Sequence, residues 1–422
     1  MKKIILSLLL SIFSLSISNA QPWTLYQTGV PYSLFAVDFL NANTGVAVGQ
    51  GGTIIQTLDG GVEWSVRSQT INIWLNDVAY TPAGVFAVGM GGVIMRSQDN
   101  GSTWQVSRAF SHEDHTLRGV AYNPFDNTVH AVGYAGSYYV LSAPFTNGTW
   151  VQRFDIPYTM HSIAFAPNAD INGRGIIAGT DGKVWRSTNG GSSWTPRNTN
   201  RYDYMNDVVF LNDDVAMICG NNGTILRSTN WGGTWSLNLQ FLTVEHLRSI
   251  DMFTDGMNTK VTICGDHGKI MTSNDNGFTF IDQLNGEGRH MYGVSLLSVT
   301  DGITVGEIGS ATSGAMYVTS ANGIVGITNL NTEVPSKYKL EQNYPNPFNP
   351  VTKIKFALPV SEQVILSVYD MTGREVANLV NSKLNAGTYE FSFDGTNLSS
   401  GVYIYKLSSN SFSETKKMSL IK

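Results

Sequence analysis

The sequence predicts an all-β chain, a seven-bladed β-propeller followed by a small antiparallel, immunoglobulin-like β-sandwich. Three observations carry this expectation. A Gly-x-x-Gly pair recurs seven times, opened by Gly49, Gly89, Gly133, Gly179, Gly220, Gly265 and Gly306, at intervals of 40 to 46 residues. Each pair follows an apolar stretch centred on Val37, Val78, Val120, Ile163, Val208, Ile250 or Val294, with the alternation of a strand. The composition is poor in charge (14%) and rich in glycine, with 43 glycines in 422 residues. That balance argues against coiled coils and solvated disorder, and it fits short strands joined by tight turns. A unit of about four strands cannot bury both faces alone, so neighbouring units must stack, and a closed ring is the natural solution.

Along the chain, Lys2 and Lys3 precede an apolar run over 4–17 and small residues at 18–20. This reads as a secretory leader over 1–20, with the mature chain starting at Gln21. The run is too short and too interrupted by serine for a membrane span, and no later segment offers one. No cysteine follows the cleavage site, so lipoprotein anchoring is not expected. The propeller is assigned to 21–328. Residues Trp23, Thr24, Leu25 and Tyr26 have the form of the aromatic strand that ends each repeat, whereas the seventh repeat stops near Gly326 without one. The N-terminal segment is therefore expected to supply the outer strand of the last blade.

A turn motif, Ser/Thr-x-Asp/Asn-x-Gly-x-(Ser, Thr or Glu)-aromatic, follows most Gly pairs, at 57–64, 97–104, 187–194, 228–235 and 273–280. Degenerate copies lie at 142–150 and 319–323. Asp59, Asp99, Asn189, Asn230 and Asp275 are assigned a structural role, accepting N–H groups of their own turn while a glycine takes positive φ. The motif resembles the Asp box, or BNR repeat. Sialidases carry it too, but on six-bladed propellers and on the rim away from the active site. The longer pattern over 46–61 is similar to the photosystem II assembly and stability factor family of seven-bladed propellers, which implies a protein-binding or scaffolding role. Cys219 and Cys264 stand at equivalent repeat positions where other blades have Val or Ala. They are expected about a sheet spacing apart, ~10 Å, as two buried free thiols.

Past residue 332 the chain changes from net −9 (21–332) to net +2 (333–422). A linker is expected over 329–340 and a second domain over 341–422, with strands at 353–358, 363–369, 387–393, 402–407 and 412–420. Pro345, Asn346, Pro347, Phe348, Asn349 and Pro350, then Gly373, Gly387, Gly401, Tyr403 and Lys417, look like the type A sorting domain of the type IX (Por) secretion system. The resemblance implies the type IX secretion machinery as a partner. It also implies export to the periplasm, then release or attachment at the outer-membrane surface.

Function is sought where the repeats differ, since the shared residues serve the scaffold. Two positions before each central Val or Ile stand Phe35, Asn76, Arg118, His161, Asn206, Arg248 and Tyr292, expected to ring the mouth of the central channel. With Trp74 and His290 from adjacent loops, Asn76, Arg118, His161, Asn206, Arg248 and Tyr292 form the candidate ligand site. Neighbouring loops and turns add His112, Glu113, Asp114, His115, Tyr158, Asp181, Tyr204, Glu245, His246, Asp266, His267, Arg289 and Glu307; only His130, among the seven histidines, falls elsewhere. Such a rim suits a protein or glycan partner or an anionic group, and it is equally what solvated loops look like. The His112 to His115 run lies in a loop rather than a His-Glu-x-x-His helix, so no metal is expected, nor a cofactor. A formal charge of −5 speaks against nucleic acid as a partner.

Three functions remain open: a non-catalytic binding propeller, a sialidase-like surface glycoside hydrolase, and an adhesive structural module. The hydrolase requires a carboxylate pair at hydrolytic separation, or a sialidase-like arginine triad, for which Arg118, Arg248 and Arg289 could converge, with a tyrosine nucleophile.

Overall fold

The computed structural model describes residues 23–422 except 69–70, 110–111, 144, 146–148, 154–155, 169–172, 239–242, 257, 284–287, 309–313, 320–324, 332–334, 350, 361, 385, 396–397 and 410. The leader, parts of both degenerate turn motifs, and Pro350 lie outside the described residues. Seven four-stranded antiparallel sheets form the blades of the propeller. Blade 1 runs outward from Leu34–Phe39 through Gly45–Gly49 and Ile54–Thr57 to Ser65–Ser68. The inner strands of the next six blades are Leu75–Thr81, Leu117–Asn123, Met160–Phe165, Met205–Phe210, Leu247–Thr254 and Met291–Leu296. Each packs beside the inner strand of the blades before and after it, and blade 7 meets blade 1.

The start of the chain closes the ring. Thr24–Gln27 pairs antiparallel with Gly314–Thr319, from Thr24 opposite Val318 to Gln27 opposite Ala315. Blade 7 thus takes its outer strand from the start of the chain. The buried apolar residues explain why closure matters. Those of the propeller fall into clusters that each span two adjacent blades. Phe86 and Val88 of blade 2 meet Leu117 and Val120 of blade 3, and Ile303 and Val305 of blade 7 meet Val37 and Ala47 of blade 1. Burial between sheets is the main source of stability, so no blade is complete without its neighbours. Trp23, 3% exposed, joins Cys264 and Ile270 of blade 6 and Met291 of blade 7. Cys219 and Cys264 are both buried free thiols.

The two repeated turns have separate reasons. In the Gly-x-x-Gly turns the first glycine is nearly extended, and a Cβ there would collide with backbone: at Gly89 it would strike the carbonyl oxygen of Trp74. That carbonyl accepts the N–H of Met90 at 3.0 Å, which draws the loop before the inner strand against the turn. The closing glycine, such as Gly92 at φ +76°, needs the left-handed region. In the Asp-box turns, the Ser97 hydroxyl donates to Asp99 Oδ1 at 2.7 Å and accepts the Gly101 N–H at 2.8 Å. Asp99 in turn accepts the Thr103 N–H and hydroxyl, and Trp104 Nε1 caps the Gly101 carbonyl. The copies led by Thr57, Ser187, Ser228 and Ser273 repeat the hydroxyl-to-glycine bond. Hydrogen bonds led by that of Thr103 hold the Asp99 carboxyl down at about 2.

Four carboxylates not singled out in the sequence tie the inner strands together. Asp38 accepts the N–H of its neighbour Phe39 and that of Tyr80 in blade 2, at 2.8 and 2.7 Å. Asp77 does the same for Val78 and Val120 of blade 3. Asp207 takes the Ile250 N–H of blade 6 and the Ser162 hydroxyl of blade 4, and Asp251 takes the Leu296 N–H of blade 7. Burial raises all four carboxyl groups, Asp38 to about 6 and Asp251 to about 7, against the lowering effect of the N–H donors.

The C-terminal domain is two four-stranded sheets closed on one apolar core that includes Ile354, Phe356, Leu366, Tyr405 and Met418. The expected strands are present as Val351–Leu358, Glu362–Tyr369, Gly387–Asp394, Gly401–Ser409 and Ser413–Leu420. Three more were not expected. Glu375–Leu384 hides from the alternation test because Leu379 is skipped in its register, leaving consecutive Leu379 and Val380 both buried; a bulge breaks period two. Val325–Asn331 pairs with the Gly387–Asp394 strand, so it crosses residue 328, and the stretch expected as linker also contributes Lys339–Leu340.

The proline-rich motif is stitched to the last strand. Phe348, 2% exposed, donates its N–H to Ser419 and accepts that of Ile421, while Asn346 Oδ1 accepts the Ser419 N–H. Gly373 takes φ +85° in the Asp370 turn. Tyr403 donates its hydroxyl to the Ser399 carbonyl. Lys417 and Asn349 are exposed, Gly387 is buried, and Gly401 opens its strand at the surface.

Three outcomes are expected. Removing residues 23–27, or placing Pro at Leu25, should lower the propeller's stability by about 3 kcal/mol or more, read as the urea midpoint. Ser97→Ala should cost about 1–2 kcal/mol, because it orphans the Gly101 N–H. The third concerns pH. Asp38 and Asp251 hold their protons more tightly folded than unfolded, so their stabilising contribution is complete below about pH 4 and is lost as pH rises through 6 to 7. The buried His130 and His161, held low in the folded state, act in the opposite sense, so the contribution is read as a difference: the melting temperature of the Asp38→Asn, Asp251→Asn variant relative to wild type should be higher at pH 8 than at pH 5.

Candidate functional site: the mouth of the central channel

The site begins with a register shift. In every inner strand one residue is skipped in the pairing with the second strand: Phe35 between Leu34 and Ala36, Asn76, Arg118, His161, Asn206, Arg248 and Tyr292. A bulge frees its residue from the ladder and re-aims its side chain. Seven bulges at the same level of a closed ring therefore deliver seven side chains to one place. All seven line a cavity of about 580 Å³ at the channel mouth, together with Trp74, Met90, Thr116 and Tyr134.

The ring has two unlike arcs. Blades 7, 1 and 2 contribute aromatic rings in contact: Phe35 lies 5.5 Å from Trp74 and 5.6 Å from Tyr292, centroid to centroid. His290 does not line the cavity; it stacks behind Tyr292 at 6.4 Å and reaches Asp266 at 3.1 Å. Blades 3 to 6 contribute Arg118, His161, Asn206 and Arg248.

Several of these polar groups already serve the scaffold. Asn76 donates to the Leu117 carbonyl at 2.7 Å, His161 Nδ1 bonds the Met205 carbonyl at 3.1 Å, and Asn206 donates to the Leu247 carbonyl at 2.6 Å. Each fastens its blade to the next. Arg248 grips Asp266 through Nε and Nη2, both at 2.8 Å. Burial works against the Asp266 carboxylate, but the hydrogen bonds and charge of Arg248 outweigh it and keep the carboxyl below its usual range. Arg118 differs. It is exposed to the cavity and makes no hydrogen bond or ion pair with the described residues. Partial desolvation, then repulsion from Arg248, lowers its pKa. Burial, then the charge of Arg118, lowers His161 to about 4, so the imidazole is neutral at pH 7.

Other rim residues fall around this mouth. Glu245 bonds His267 at 2.6 Å, His267 and His290 lie ring to ring at 4.9 Å, and the Asn222 N–H reaches His246 Nδ1. Tyr158 and Tyr204 are 43% and 45% exposed. Arg289 does not line the cavity, so two of the three arginines meet there. His112 bonds Asp114 at 3.2 Å in the short turn Glu113–His115. Among the described residues, no group of three or more His, Cys, Asp or Glu is placed to hold a metal ion. His130 is a core residue between Thr128 and Tyr138, and burial lowers it to about 3.

Sequence reasoning missed Met90, Thr116 and Tyr134. Met90 and Tyr134 follow the first glycine of their turns, the same register as Asp266 and Glu307. Comparing all seven copies at that register would have found them.

Comparison with known proteins agrees with the fold. Residues 342–422 match the family model of the secretion system C-terminal sorting domain, and residues 15–112 match that of the photosynthesis system II assembly factor YCF48. No curated protein matches the chain. Among solved structures, a YCF48 bound to D1 peptide is 18% identical over 71% of this chain and 97% of its own, with a TM-score of 0.56. YCF48 from Cyanidioschyzon merolae is 18% identical over 69% and 98%, TM-score 0.54. The WD40 propeller domain of Doa1 is 14% identical over 72% and 98%, TM-score 0.57. At these identities the likeness is one of fold. In the described residues no helix is long and apolar enough to cross a membrane. The chain thus joins a β-propeller with a YCF48-like segment to a C-terminal domain of the kind that sends proteins through type IX secretion to the outer membrane or beyond.

Proposed function

We propose that this protein is a secreted or surface-held, non-catalytic propeller that binds a protein or glycan partner at the channel mouth. On this reading the leader over 1–20 gives passage to the periplasm, the propeller is the cargo, and the C-terminal domain engages the type IX machinery. One observation carries the binding role: the residues skipped at the bulges of the seven inner strands differ from blade to blade, and they meet in one cavity. A cavity with aromatic walls and a few converging polar groups is the usual form of a ligand site. The YCF48 structure bound to D1 peptide lends support, since a propeller of the same fold holds a peptide.

The non-catalytic reading rests on the lining. No carboxylate is among the lining residues, and Arg248 is already held by Asp266. A glycosidase of either stereochemistry needs carboxylates flanking the bond, and a sialidase-like site needs free converging arginines.

The test uses the mature chain in glycan-array and pull-down experiments against extracellular material. A ligand of the wild-type protein should lose about tenfold or more in affinity with Arg118→Ala plus Trp74→Ala, at an unchanged melting temperature. Undiminished affinity for every ligand found would remove the channel mouth as the site. Turnover of a sialoside or other glycoside would favour the hydrolase instead.

A further inference from the structure

We propose that the channel mouth takes an acidic sugar residue, its carboxylate on Arg118 and the C–H face of its ring against Phe35, Trp74 and Tyr292. This rests on the reading of the mouth as a binding site and names the class of ligand.

Charge comes first. The one cation of the cavity without a partner among the described residues is Arg118, whereas Arg248 is compensated by Asp266 and His161 is neutral. An arginine fork facing a cavity with no carboxylate in its lining is matched by a carboxylate on the ligand, held by two parallel N–H bonds. Shape comes second. The aromatic arc spans blades 7, 1 and 2, and Trp74 remains 45% exposed. Flat aromatic faces accept the apolar C–H face of a pyranose while leaving its hydroxyls at the edge. Those hydroxyls need acceptors. Asn76 spends its amide N–H on the Leu117 carbonyl, which leaves its Oδ1 to accept from a ligand hydroxyl.

Size and place agree. About 580 Å³ lies within the usual range of small-ligand sites and suits one or two sugar rings rather than a long extended chain. A sorting domain that sends the protein to the outer membrane or beyond puts the mouth where acidic polysaccharides are met. A single cation with no carboxylate in the lining binds such a sugar without cleaving it.

Titration of the mature protein with di- and trigalacturonate, followed by tryptophan fluorescence and calorimetry, tests this. N-acetylneuraminyl-lactose and a glucuronate disaccharide serve as further acidic probes, maltotriose as the neutral control, and a short acidic peptide as the competitor. At least one acidic sugar should bind about tenfold or more tightly than maltotriose. Arg118→Ala should abolish that preference while leaving the melting temperature unchanged. Arg118→Lys should restore part of it, because charge without the fork keeps attraction but loses the paired bonds. Trp74→Ala should weaken acidic and neutral sugars alike. Equal binding of neutral and acidic sugars, an acidic preference that survives Arg118→Ala, or no binding of any sugar would overturn the proposal. If the acidic peptide alone binds, and does so through Arg118, the acidic-sugar assignment falls while the mouth stands as a binding site.

Discussion

A ring of stacked sheets is stable only when it is closed, and every other property of this propeller depends on that constraint. Its apolar residues are buried between blades rather than within them, so an open ring would leave the facing surfaces of blades 1 and 7, with Val37, Ala47, Ile303 and Val305, in water. Closure is achieved by pairing Thr24–Gln27 with Gly314–Thr319, which binds the first described residues to the last blade. The chain then passes straight from the outer strand of blade 7 to the inner strand of blade 1, and the seventh blade cannot separate without breaking a four-stranded sheet.

Around the channel the same constraint is enforced by polar groups. Asp38, Asp77, Asp207 and Asp251 each reach an N–H of the following blade, and Asn76, His161 and Asn206 reach its carbonyls. Raised carboxyl pKa values often mark catalytic groups. Here each carboxylate is occupied by backbone donors, so the shifts record burial at a structural joint. The division of labour is sharp at the level of single residues: Asn76 and Asn206 hold blades together, Arg248 is locked to Asp266, and Arg118 faces the cavity uncommitted. Because closure fixes the seven inner strands at one level, the bulges place unlike residues side by side, and a site is assembled from positions 35 to 292 of the chain.

Much of the fold was legible because the turns are chemically demanding. A glycine whose Cβ would strike a carbonyl, or a serine hydroxyl that must serve both Asp99 and Gly101, leaves little freedom of residue type, so the motif recurs visibly. The cavity residues were legible for a different reason: counting two positions back from each central Val or Ile lands on the bulge. Elsewhere the sequence concealed what tertiary structure imposed. Glu375–Leu384 does not alternate, since the bulge at Leu379 turns two consecutive apolar residues inward. Asp38 and Asp251 look like the polar half of ordinary alternating strands, because nothing local reveals that an N–H more than forty residues away will meet them. Val325–Asn331 carries no signal that it leaves the propeller for the sheet of the next domain.

The sequence by itself determined the number of blades, the closing strand and the two kinds of turn, since each follows from local sterics, hydrogen bonding and period, while the C-terminal domain was legible through the resemblance of its motif. It also determined which side chains stand at the seven bulges. Only the tertiary structure decided what those side chains became. Closure set Tyr292 beside Phe35 and Phe35 beside Trp74, gave Arg248 a carboxylate from its own blade, and gave Arg118 none. Pairing across blades depends on the curvature of the whole ring, a property no single repeat contains, and it is this that turned seven similar positions into one cavity with an aromatic side and a cationic one.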